Sequence, residues 1–321
     1  MAPVPLEWLR YLPYGERMLS TKAKIRTAEV LSRAVRAVRR LTRANHDVVE
    51  VKRGGIWWRL DLCEAIDFAI YLLGTFEYPT VQAYRRVIRP PAVAFDIGAN
   101  VGAHTLPLAS LVGNAGRVYA FEPTVYALGK LQRNLALNPE LAARVITEQV
   151  MLTDLKDALA EPEVYSSWPL NCRIGLHDKH LGRPTATTGA RAVRLDDYVT
   201  AAGITRIDFI KLDVDGFECH VLAGGAAVLK TERPVILMEV APYALTERGR
   251  SLEELVDLLR CAGYRLHHLY GEKVLPDDSR SLRMIIPEGA SMNVIARPMR
   301  CSDASISYLQ DARLASRRCR S

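Results

Sequence analysis

The feature that most limits how this chain can fold is a regular alternation of short apolar and longer amphipathic segments after Pro91. Five apolar, β-branched runs have the length of buried strands: VAFDIG, RVYAFEP, RVITEQVML, IDFIKLDV and PVILMEV. Stretches with helical periodicity, such as TVYALGKLQRNLALN and SLEELVDLLRCAGY, follow several of them. This alternation predicts a mostly parallel sheet with helices on both faces, which is a doubly wound α/β fold.

The chain divides into four segments by pattern. Residues 1–48 form a basic leader, and residues 49–90 read as a hairpin and helices that pack on the core. Residues 91–299 carry the alternating pattern and end in YRLHHLY and MNVIARP, which we expect to form an antiparallel hairpin at the sheet edge. Residues 300–321 are a basic tail that we expect to be flexible. Within the large segment, residues 153–190 are polar and are predicted to be a long loop over one end of the sheet.

Composition narrows the class of protein. No apolar run approaches the ~18 residues that a membrane span requires, and the first residues lack the pattern of a secretion signal. The six cysteines are scattered, which favours reduced thiols in a cytoplasmic protein. The net charge of +7 is concentrated at the two ends without a recognition helix or an aromatic-studded basic sheet. We therefore expect no nucleic-acid partner.

The strongest motif is FDIGANVGAHT, where the first strand gives way to a helix. Gly98 and Gly102 would let the backbone turn sharply and let a ligand approach. The amides around Ala99, Asn100 and Val101 would then point at a nucleotide-type ligand from a helix N-terminus. A carboxylate at Asp96 suits the cationic amino-acid part of S-adenosylmethionine (SAM).

Glu122 and Pro123 follow the second strand. An acidic side chain at that place can accept hydrogen bonds from both hydroxyls of a ribose. Nicotinamide enzymes use the same arrangement, but their G-x-G-x-x-G fingerprint is missing here. A carboxylate at Asp96 would also lie badly beside a pyrophosphate. SAM carries no phosphate, so the turn favours SAM over NAD(P).

Several spaced motifs in order resemble the FkbM family of class I SAM-dependent methyltransferases. They are FDIGANVGAHT, VYAFEPTVYALGKLQRNLALN, RLDDYV, IDFIKLDVDGFECHVLAGG and PVILMEV, and with the preceding GTFEY segment the resemblance spans about Arg53 to Arg297. It implies a seven-stranded, Rossmann-like sheet with SAM at the carboxyl ends of its first strands. It also implies O-methylation of small molecules or sugars.

The resemblance also implies roles for particular positions. Asp96, Gly98, Asn100 and Gly102 match the SAM loop, and Glu122 matches the acid that binds ribose. A second set matches the family's fourth-strand motif: Lys211, Asp213, Gly216 and Glu218. Asp215 stands where glutamate is more usual. QVMLTD departs from the usual form of the segment after the third strand, where the resemblance assigns the adenine contacts to Met151 and Asp154.

Four side chains are candidates for a catalytic base. Asp213 and Asp215 are two residues apart, so in an extended strand they would point the same way. They could bind a divalent cation, one could act as a base, or Asp215 could cap the next helix. His104, just after the glycine turn, is a third candidate, with a solvent-facing histidine in the first turn of the helix as the alternative. Glu239 ends the strand PVILMEV at the rim of the expected crevice, where it could be a base, a ligand or a substrate contact.

A zinc site is a weaker hypothesis. His177 and His180 lie near Cys172, but no fourth ligand is evident, and exposed loop histidines are the favoured interpretation.

The predicted function is methyl transfer from SAM to an oxygen of a small-molecule or glycan acceptor. The acceptor would lie between the end of the fourth strand and the 153–190 loop. The alternatives are an NAD(P)-dependent oxidoreductase and a non-catalytic protein with the same fold. The leader predicts a cationic amphipathic helix that packs on the domain with a solvated basic face or contacts a membrane or partner. The sequence does not indicate an oligomeric state.

Overall fold

The computed structural model describes residues 21–41, 46–156, 158–271 and 273–299. Its helices are α1 (Thr21–Leu41), α2 (Ala65–Leu73), α3 (Tyr78–Val87), α4 (Thr105–Leu111), α5 (Val125–Ala136), α6 (Pro139–Ala142), α7 (Leu195–Ala201), α8 (Glu218–Gly224), α9 (Ala226–Thr231), α10 (Pro242–Glu247), α11 (Leu252–Cys261) and α12 (Ser279–Ile285). Its strands are β1 (Val48–Arg53), β2 (Ile56–Asp61), β3 (Val93–Ile97), β4 (Arg117–Phe121), β5 (Val145–Glu148), β6 (Val150–Thr153), β7 (Glu163–Ser167), β8 (Arg183–Ala186), β9 (Arg191–Arg194), β10 (Phe209–Leu212), β11 (Val235–Val240), β12 (Tyr264–His268) and β13 (Met292–Pro298).

The centre of the fold is a seven-stranded sheet in the order β12-β13-β11-β10-β3-β4-β5. Strands β11, β10, β3, β4 and β5 pair in parallel, as the apolar runs predict. Strand β13 is antiparallel to both of its neighbours, so the predicted antiparallel pair at the edge is confirmed. Parallel neighbours end at the same edge, and residues just after β3, β4, β10 and β11 therefore meet there.

Two apolar layers enclose the sheet, because successive side chains of a strand point to opposite faces. Phe95 and Ile210 belong to a cluster with residues of α7, α8, α9 and α11. Their neighbours Ala94 and Phe209 belong to another cluster, with residues of α3 and α4. The helices on both faces confirm the doubly wound α/β architecture.

The segment before the sheet is an extension that packs on α5. Strands β1 and β2 form the predicted hairpin around Gly54 and Gly55, both of which have positive φ. Trp58 is buried whereas Trp57 is 46% exposed, as expected for adjacent residues of a strand.

Two asparagines of the α5 region bind the outer edge of β2. The side-chain oxygens of Asn134 and Asn138 accept hydrogen bonds from the backbone amides of Arg59 and Trp57 at 2.8 and 2.9 Å. A buried ion pair adds to this junction, because Lys130 Nζ lies 2.7 Å from Asp67 Oδ2 on α2. The extension is therefore joined to the sheet domain by polar contacts as well as by apolar packing.

Two expectations about local structure are wrong. RVITEQVML forms two strands, because the chain leaves the main sheet after Glu148, and β6 pairs in parallel with β9. The 153–190 segment contains the antiparallel pair β7–β8, so it is not wholly irregular. Its polar composition hid the pattern, because β8 alternates between half-buried and exposed residues over only four positions.

The predicted leader helix is present as α1, whereas residues 1–20 and the 300–321 tail lie outside the described residues. None of the helices in the described part of the chain has the length and apolar content needed to span a bilayer.

We expect replacement of Lys130 by methionine to destabilise the fold by about 3–5 kcal/mol, because it leaves a buried carboxyl without its cation. Burial raises the pKa of Asp67 to about 6, although Lys130 lowers it. The folded state therefore holds this proton more tightly than the unfolded state, and stability from this carboxyl is lost as pH rises. Without Lys130 the pKa of Asp67 in the folded state is higher still. The loss of unfolding free energy caused by Lys130→Met therefore grows between about pH 5 and about pH 8.

Urea unfolding of the wild type and Lys130→Met at both pH values measures this. The double variant Asp67→Asn, Lys130→Met is the control, and it should recover part of the loss. A deficit that is equal at both pH values would contradict the ion-pair explanation.

Candidate functional site

Two charged side chains meet in the middle of the sheet. Asp96 of β3 and Lys211 of β10 are register partners on neighbouring strands, and both are buried. Thr105 Oγ1 donates a 2.6 Å hydrogen bond to Asp96 Oδ2. Asp96 Oδ1 is buried and has no hydrogen-bond partner in the described part of the chain. Burial raises the pKa of Asp96, against the attraction of Lys211.

Lys211 is the cation around which the other acidic groups lie. Its Nζ atom contacts Asp213 Oδ2 at 2.5 Å. Burial alone would lower the pKa of Lys211, but the carboxylates of Asp213, Asp96 and Glu77 together raise it. The lysine is therefore charged and is shared among several carboxylates.

Glu77 belongs to this site, although sequence reasoning did not select it. It stands just before α3 with a left-handed φ of 44°, and its Oε2 accepts hydrogen bonds from Thr80 Oγ1 and Asn293 Nδ2, both at 3.0 Å. Burial and the carboxylate of Asp213 raise its pKa. The available signal was the acidic residue of GTFEY, but nothing in its periodicity places it beside strands that follow much later in the chain.

His104 is enclosed rather than solvent-facing, so that alternative is wrong. The side chain is buried between Phe76 and Tyr84, with ring centroids 5.8 and 5.9 Å away. Neither ring nitrogen makes a hydrogen bond in the described structure, and Nε2 lies 3.8 Å from Glu77 Oε2. Burial, with repulsion from Lys211, holds the pKa of His104 well below its ordinary value. His104 is therefore neutral.

The glycine turn serves packing within the protein. Gly98 has a φ of 84°, and a Cβ added to it would lie 1.9 Å from the backbone oxygen of Asp213. Gly102 has a φ of 89°, and a Cβ there would meet Leu131 and Leu106. The sharp turn expected at these two residues is present, and it lies directly against the end of β10 and against α5; the approach of a ligand to it stays a prediction.

The amides of the turn also differ from expectation. Helix α4 begins only at Thr105, so Ala99 to Val101 precede it. The amide of Ala99 donates to Phe121 O, that of Asn100 to Glu122 Oε2 and that of Val101 to its neighbour's side-chain oxygen, Asn100 Oδ1. These amides therefore bind the protein itself rather than point at a ligand.

Glu122 is joined to the same turn from β4. It is buried, and its Oε1 accepts from the amide and hydroxyl of Thr124 at 3.0 and 2.6 Å. Its Oε2 accepts from the amide of Asn100 at 2.9 Å. Burial raises its pKa.

Strand β7 covers Glu122 through Ser166. The Ser166 backbone oxygen accepts from Asn100 Nδ2, and the hydroxyls of Ser166 and Thr124 are within hydrogen-bond distance, 3.1 Å apart, with Ser166 as the donor because Thr124 already donates to Glu122. The hairpin β7–β8 therefore closes over the turn that carries Glu122.

The turn after β10 corrects the expectation for Asp213 and Asp215. The strand ends at Leu212, and Asp215 has a φ of 48°, so the two carboxylates are not on one extended segment. Glu218 holds the turn, because its Oε1 accepts from the amides of Val214 and Gly216. No side chain caps α8 at its N-cap residue, so the capping interpretation of Asp215 is wrong.

Asp215 is half-buried and makes no hydrogen bond in the described structure. Burial and the neighbouring carboxylates of Asp213 and Glu218 raise its pKa well above the ordinary value. Glu239 of β11 is also half-buried, and burial and the charge of Asp213 raise its pKa well above the ordinary value. Its Oε1 accepts from Ser291 Oγ at 2.5 Å. Both groups hold protons near neutral pH more readily than exposed acids do.

The edge of the sheet is therefore rich in carboxylates. Glu77, Asp96, Asp213 and Asp215 feel the charge of Lys211, and Glu218 and Glu239 lie close enough to Asp213 that its charge raises their pKa. Buried carboxylates without matching cations favour a positively charged ligand. SAM fits this set of acceptors, since its ammonium can donate hydrogen bonds to them and its sulfonium carries a second positive charge.

The sequence match to known proteins decides the family. Residues 96–266 match the model of the methyltransferase FkbM domain, which is more than half of the chain. The chain belongs to the FkbM methyltransferase family. It is a SAM-dependent methyltransferase, and the oxidoreductase alternative is wrong.

Two curated relatives belong to the same group. The 2-O-methyltransferase NoeI of Sinorhizobium fredii is 27% identical over 191 residues, which cover 56% of this chain and 77% of that protein. The 31-O-demethyl-FK506 methyltransferase FkbM of Streptomyces tacrolimicus is 29% identical over 201 residues, which cover 55% and 74%. A solved methyltransferase FkbM from Methylobacillus flagellatus is 17% identical with a TM-score of 0.39, covering 68% of this chain and 48% of that one. The family assignment rests on the match to the domain model.

The remaining candidate positions of this FkbM-family enzyme lie apart from the lysine. Met151 is buried in β6, and its sulfur accepts from the amide of Glu161. Asp154 is ion-paired with Arg250, so its carboxylate is already engaged. The backbone oxygen of Pro123 accepts from Gln149 Nε2 at 3.3 Å. The adenine contacts assigned to Met151 and Asp154 stay predictions.

Neither the divalent cation at Asp213 and Asp215 nor the zinc at His177 and His180 is supported by a suitable set of ligands among the described residues. No group of three histidine, cysteine or acidic side chains suited to a metal ion occurs among the residues that the structure describes. Asp213 is engaged with Lys211, which opposes pairing it with Asp215 on a cation. His177 stacks on His180 at 3.9 Å and lies 3.2 Å from Glu247, so it belongs to an aromatic and ionic cluster.

We expect Gly98→Ala to destabilise this methyltransferase by more than Gly55→Ala does. Both residues have positive φ, which costs an alanine about 1–2 kcal/mol. A Cβ at Gly55 meets no atom within 4 Å, whereas one at Gly98 overlaps the Asp213 carbonyl. The overlap adds about 1–3 kcal/mol. Equal losses in urea unfolding would show that the turn does not lie against β10 as described.

Proposed function

We propose that SAM binds across the ends of β3, β4 and β10, and that the methyl group passes to a hydroxyl oxygen of a small-molecule or sugar acceptor. The observation that carries the proposal is the buried oxygen of Asp96, which has no partner among the described residues and lies among acids that outnumber Lys211. When bound, SAM supplies an electrophilic methyl group. The names of the relatives support oxygen as the acceptor, since both act as O-methyltransferases.

Asp96 and Glu77 bind the ammonium end of SAM in this proposal. Asp96 Oδ1 needs a donor, and Glu77 lies close enough to share the charge of Lys211 with Asp96. An ammonium placed there would form charge-assisted hydrogen bonds, which are stronger than neutral ones.

Glu122 binds the ribose hydroxyls in this proposal. Its Oε2 accepts only one hydrogen bond from the described residues and a carboxylate oxygen can accept two, so capacity remains. Since Ser166 covers this carboxylate, the ribose enters when the β7–β8 hairpin is displaced from Thr124 and Asn100. Ribose hydroxyls would replace the polar contacts that Ser166 now makes.

Asp215 is the general base of the proposed reaction. A hydroxyl acceptor loses a proton as its oxygen attacks, and a base with a raised pKa suits this near neutral pH. Asp215 is half-buried and its carboxylate accepts no hydrogen bond from the described residues, whereas Glu239 is engaged with Ser291. His104 is buried and a weak base, because its pKa is well below the ordinary value.

Aromatic side chains beside Asp215 favour a sugar as the acceptor. The guanidinium of Arg248 lies 4.4 Å from the ring centroid of Phe217 and 5.8 Å from that of Tyr165. Tyr243 on α10 lies near the same acids. Burial raises the pKa of Tyr243, and the charges of Glu239 and Asp215 raise it further. Aromatic faces and polar groups in one place can bind the apolar and hydroxyl sides of a sugar ring.

Variants of the two acids test SAM binding. We expect Glu122→Gln and Glu77→Gln each to weaken SAM binding about 10- to 100-fold, because each removes a charge-assisted hydrogen bond worth about 1.5–3 kcal/mol. Isothermal titration calorimetry measures the dissociation constant. Glu140→Gln, at an exposed position on α6, is the matched control and should bind as the wild type does. Wild-type protein that ignores SAM would overturn the proposal.

The base is tested separately. We expect Asp215→Asn to lower kcat about 10²- to 10⁴-fold while leaving the SAM dissociation constant unchanged. Because a base acts after losing its proton, the wild-type rate should rise with pH through the raised pKa of Asp215, and the variant should lose this rise. Transfer of labelled methyl into a mixture of sugars and small alcohols gives the rate. A large loss in Glu239→Gln with none in Asp215→Asn would assign the base to Glu239.

A further inference from the structure

Helix α1 has an inner face that the fold uses. Ile25 packs in a cluster with Leu62, Phe68 and Leu170. The hydroxyl of Ser32 donates to the backbone oxygen of Leu62 at 2.6 Å. Arg36 binds both carboxylate oxygens of Asp47 at 2.7 Å. The helix is therefore anchored to the enzyme along one side.

The opposite face carries apolar residues that the fold leaves in solvent. Val30, Ala34, Ala37 and Leu41 recur at spacings of three and four residues, so they share one side of the helix. Val30 is 66% exposed and Leu41 is 85% exposed, and the adjacent Leu31 is 41% exposed. A continuous exposed apolar stripe is typical of an interaction surface.

Basic residues border this stripe. Helix α1 contains seven lysines and arginines but a single acid, Glu29, and that acid is buried against Arg33 and Arg173. Arg26, Arg33 and Arg40 are seven residues apart, so they line up along the helix. Arg26 lies four residues before Val30, and Arg33 lies four residues before Ala37. The row of arginines is therefore beside the apolar stripe. The outer surface of the helix is therefore apolar along its middle and cationic along its border.

We propose that the outer face of α1 docks on an anionic phospholipid surface. An apolar stripe with a basic border is the pattern of a helix that lies in the plane of a membrane interface, where apolar burial and charge attraction act together. The same face is poorly suited to a second copy of this chain, because two such faces would bring arginine rows together. The proposal does not depend on the assigned reaction.

Docking requires no rearrangement of α1. The inner contacts with Leu62 and Asp47 use the side of the helix opposite Val30 and Leu41, so they persist at the membrane. Lys22 Nζ also donates to the backbone oxygen of Asp178 at 3.0 Å, in the segment between β7 and β8. The segment between β7 and β8, the hairpin that covers the candidate site, is therefore in contact with α1.

Vesicle sedimentation with the full chain tests the proposal. We expect binding to vesicles of phosphatidylcholine with phosphatidylglycerol, little binding to phosphatidylcholine alone, and loss of binding at high salt. Arg26→Gln with Arg40→Gln should weaken binding about 30-fold, as expected for about 1 kcal/mol from each arginine. Val30→Asp with Leu41→Asp should abolish it. Arg86→Gln with Arg133→Gln, at exposed positions of α3 and α5, is the charge-matched control and should bind as the wild type does.

Circular dichroism and the SAM dissociation constant show that each variant is folded, and they should match the wild type. Absence of binding to anionic vesicles would overturn the proposal, as would equal weakening by the control pair. Light scattering tests the other occupant. If the wild type is a dimer that does not bind vesicles, and Val30→Asp with Leu41→Asp is a monomer, the face is an interface with a second copy instead.

Discussion

The charge of Lys211 is the constraint on which the rest of the candidate site depends. A lysine buried in the middle of a sheet needs anionic partners, and here Asp96, Asp213 and Glu77 surround it from three separate parts of the chain. Two of these acids are held in turn by neutral donors, Asp96 by Thr105 and Glu77 by Thr80. The ends of β3 and β10 and the beginning of α3 are therefore fixed relative to one another by charge as well as by apolar packing. More acids gather there than one cation can neutralise, and that surplus makes the edge of the sheet suited to a cationic cosubstrate.

The sheet could be read from the sequence because its strands are apolar, β-branched and separated by helices. The same rule placed Asp96, Glu122 and Glu239 at strand ends, where parallel strands meet. It failed at Asp215, because a turn with positive φ follows Leu212 and no periodicity signals where a strand ends within KLDVDGFE. It also failed at His104, since its burial depends on Phe76 and Tyr84 of the extension. Glu77 escaped notice for the same reason, because contacts between distant segments leave no local pattern.

The residues of the glycine turn are fixed by contacts within the protein itself. At Gly98 and Gly102 the structure places other parts of the protein where side chains would be, so packing alone already requires glycine at both positions. The turn is pressed against the backbone of Asp213, and its amides are bound to Phe121 and Glu122. A motif of this kind therefore keeps the ends of β3, β4 and β10 in register. Any ligand-binding geometry follows from that packing.

The pair of asparagines beside β2 has a consequence of its own. An edge strand with unpaired amides and carbonyls is a template on which a strand of another molecule can form. Asn134 and Asn138 occupy three such backbone groups of β2, at Trp57 and Arg59. The extension can thus remain a two-stranded ribbon without recruiting a third strand from a neighbouring chain, and its resistance to such association comes from two amide side chains, one on α5 and one just before α6.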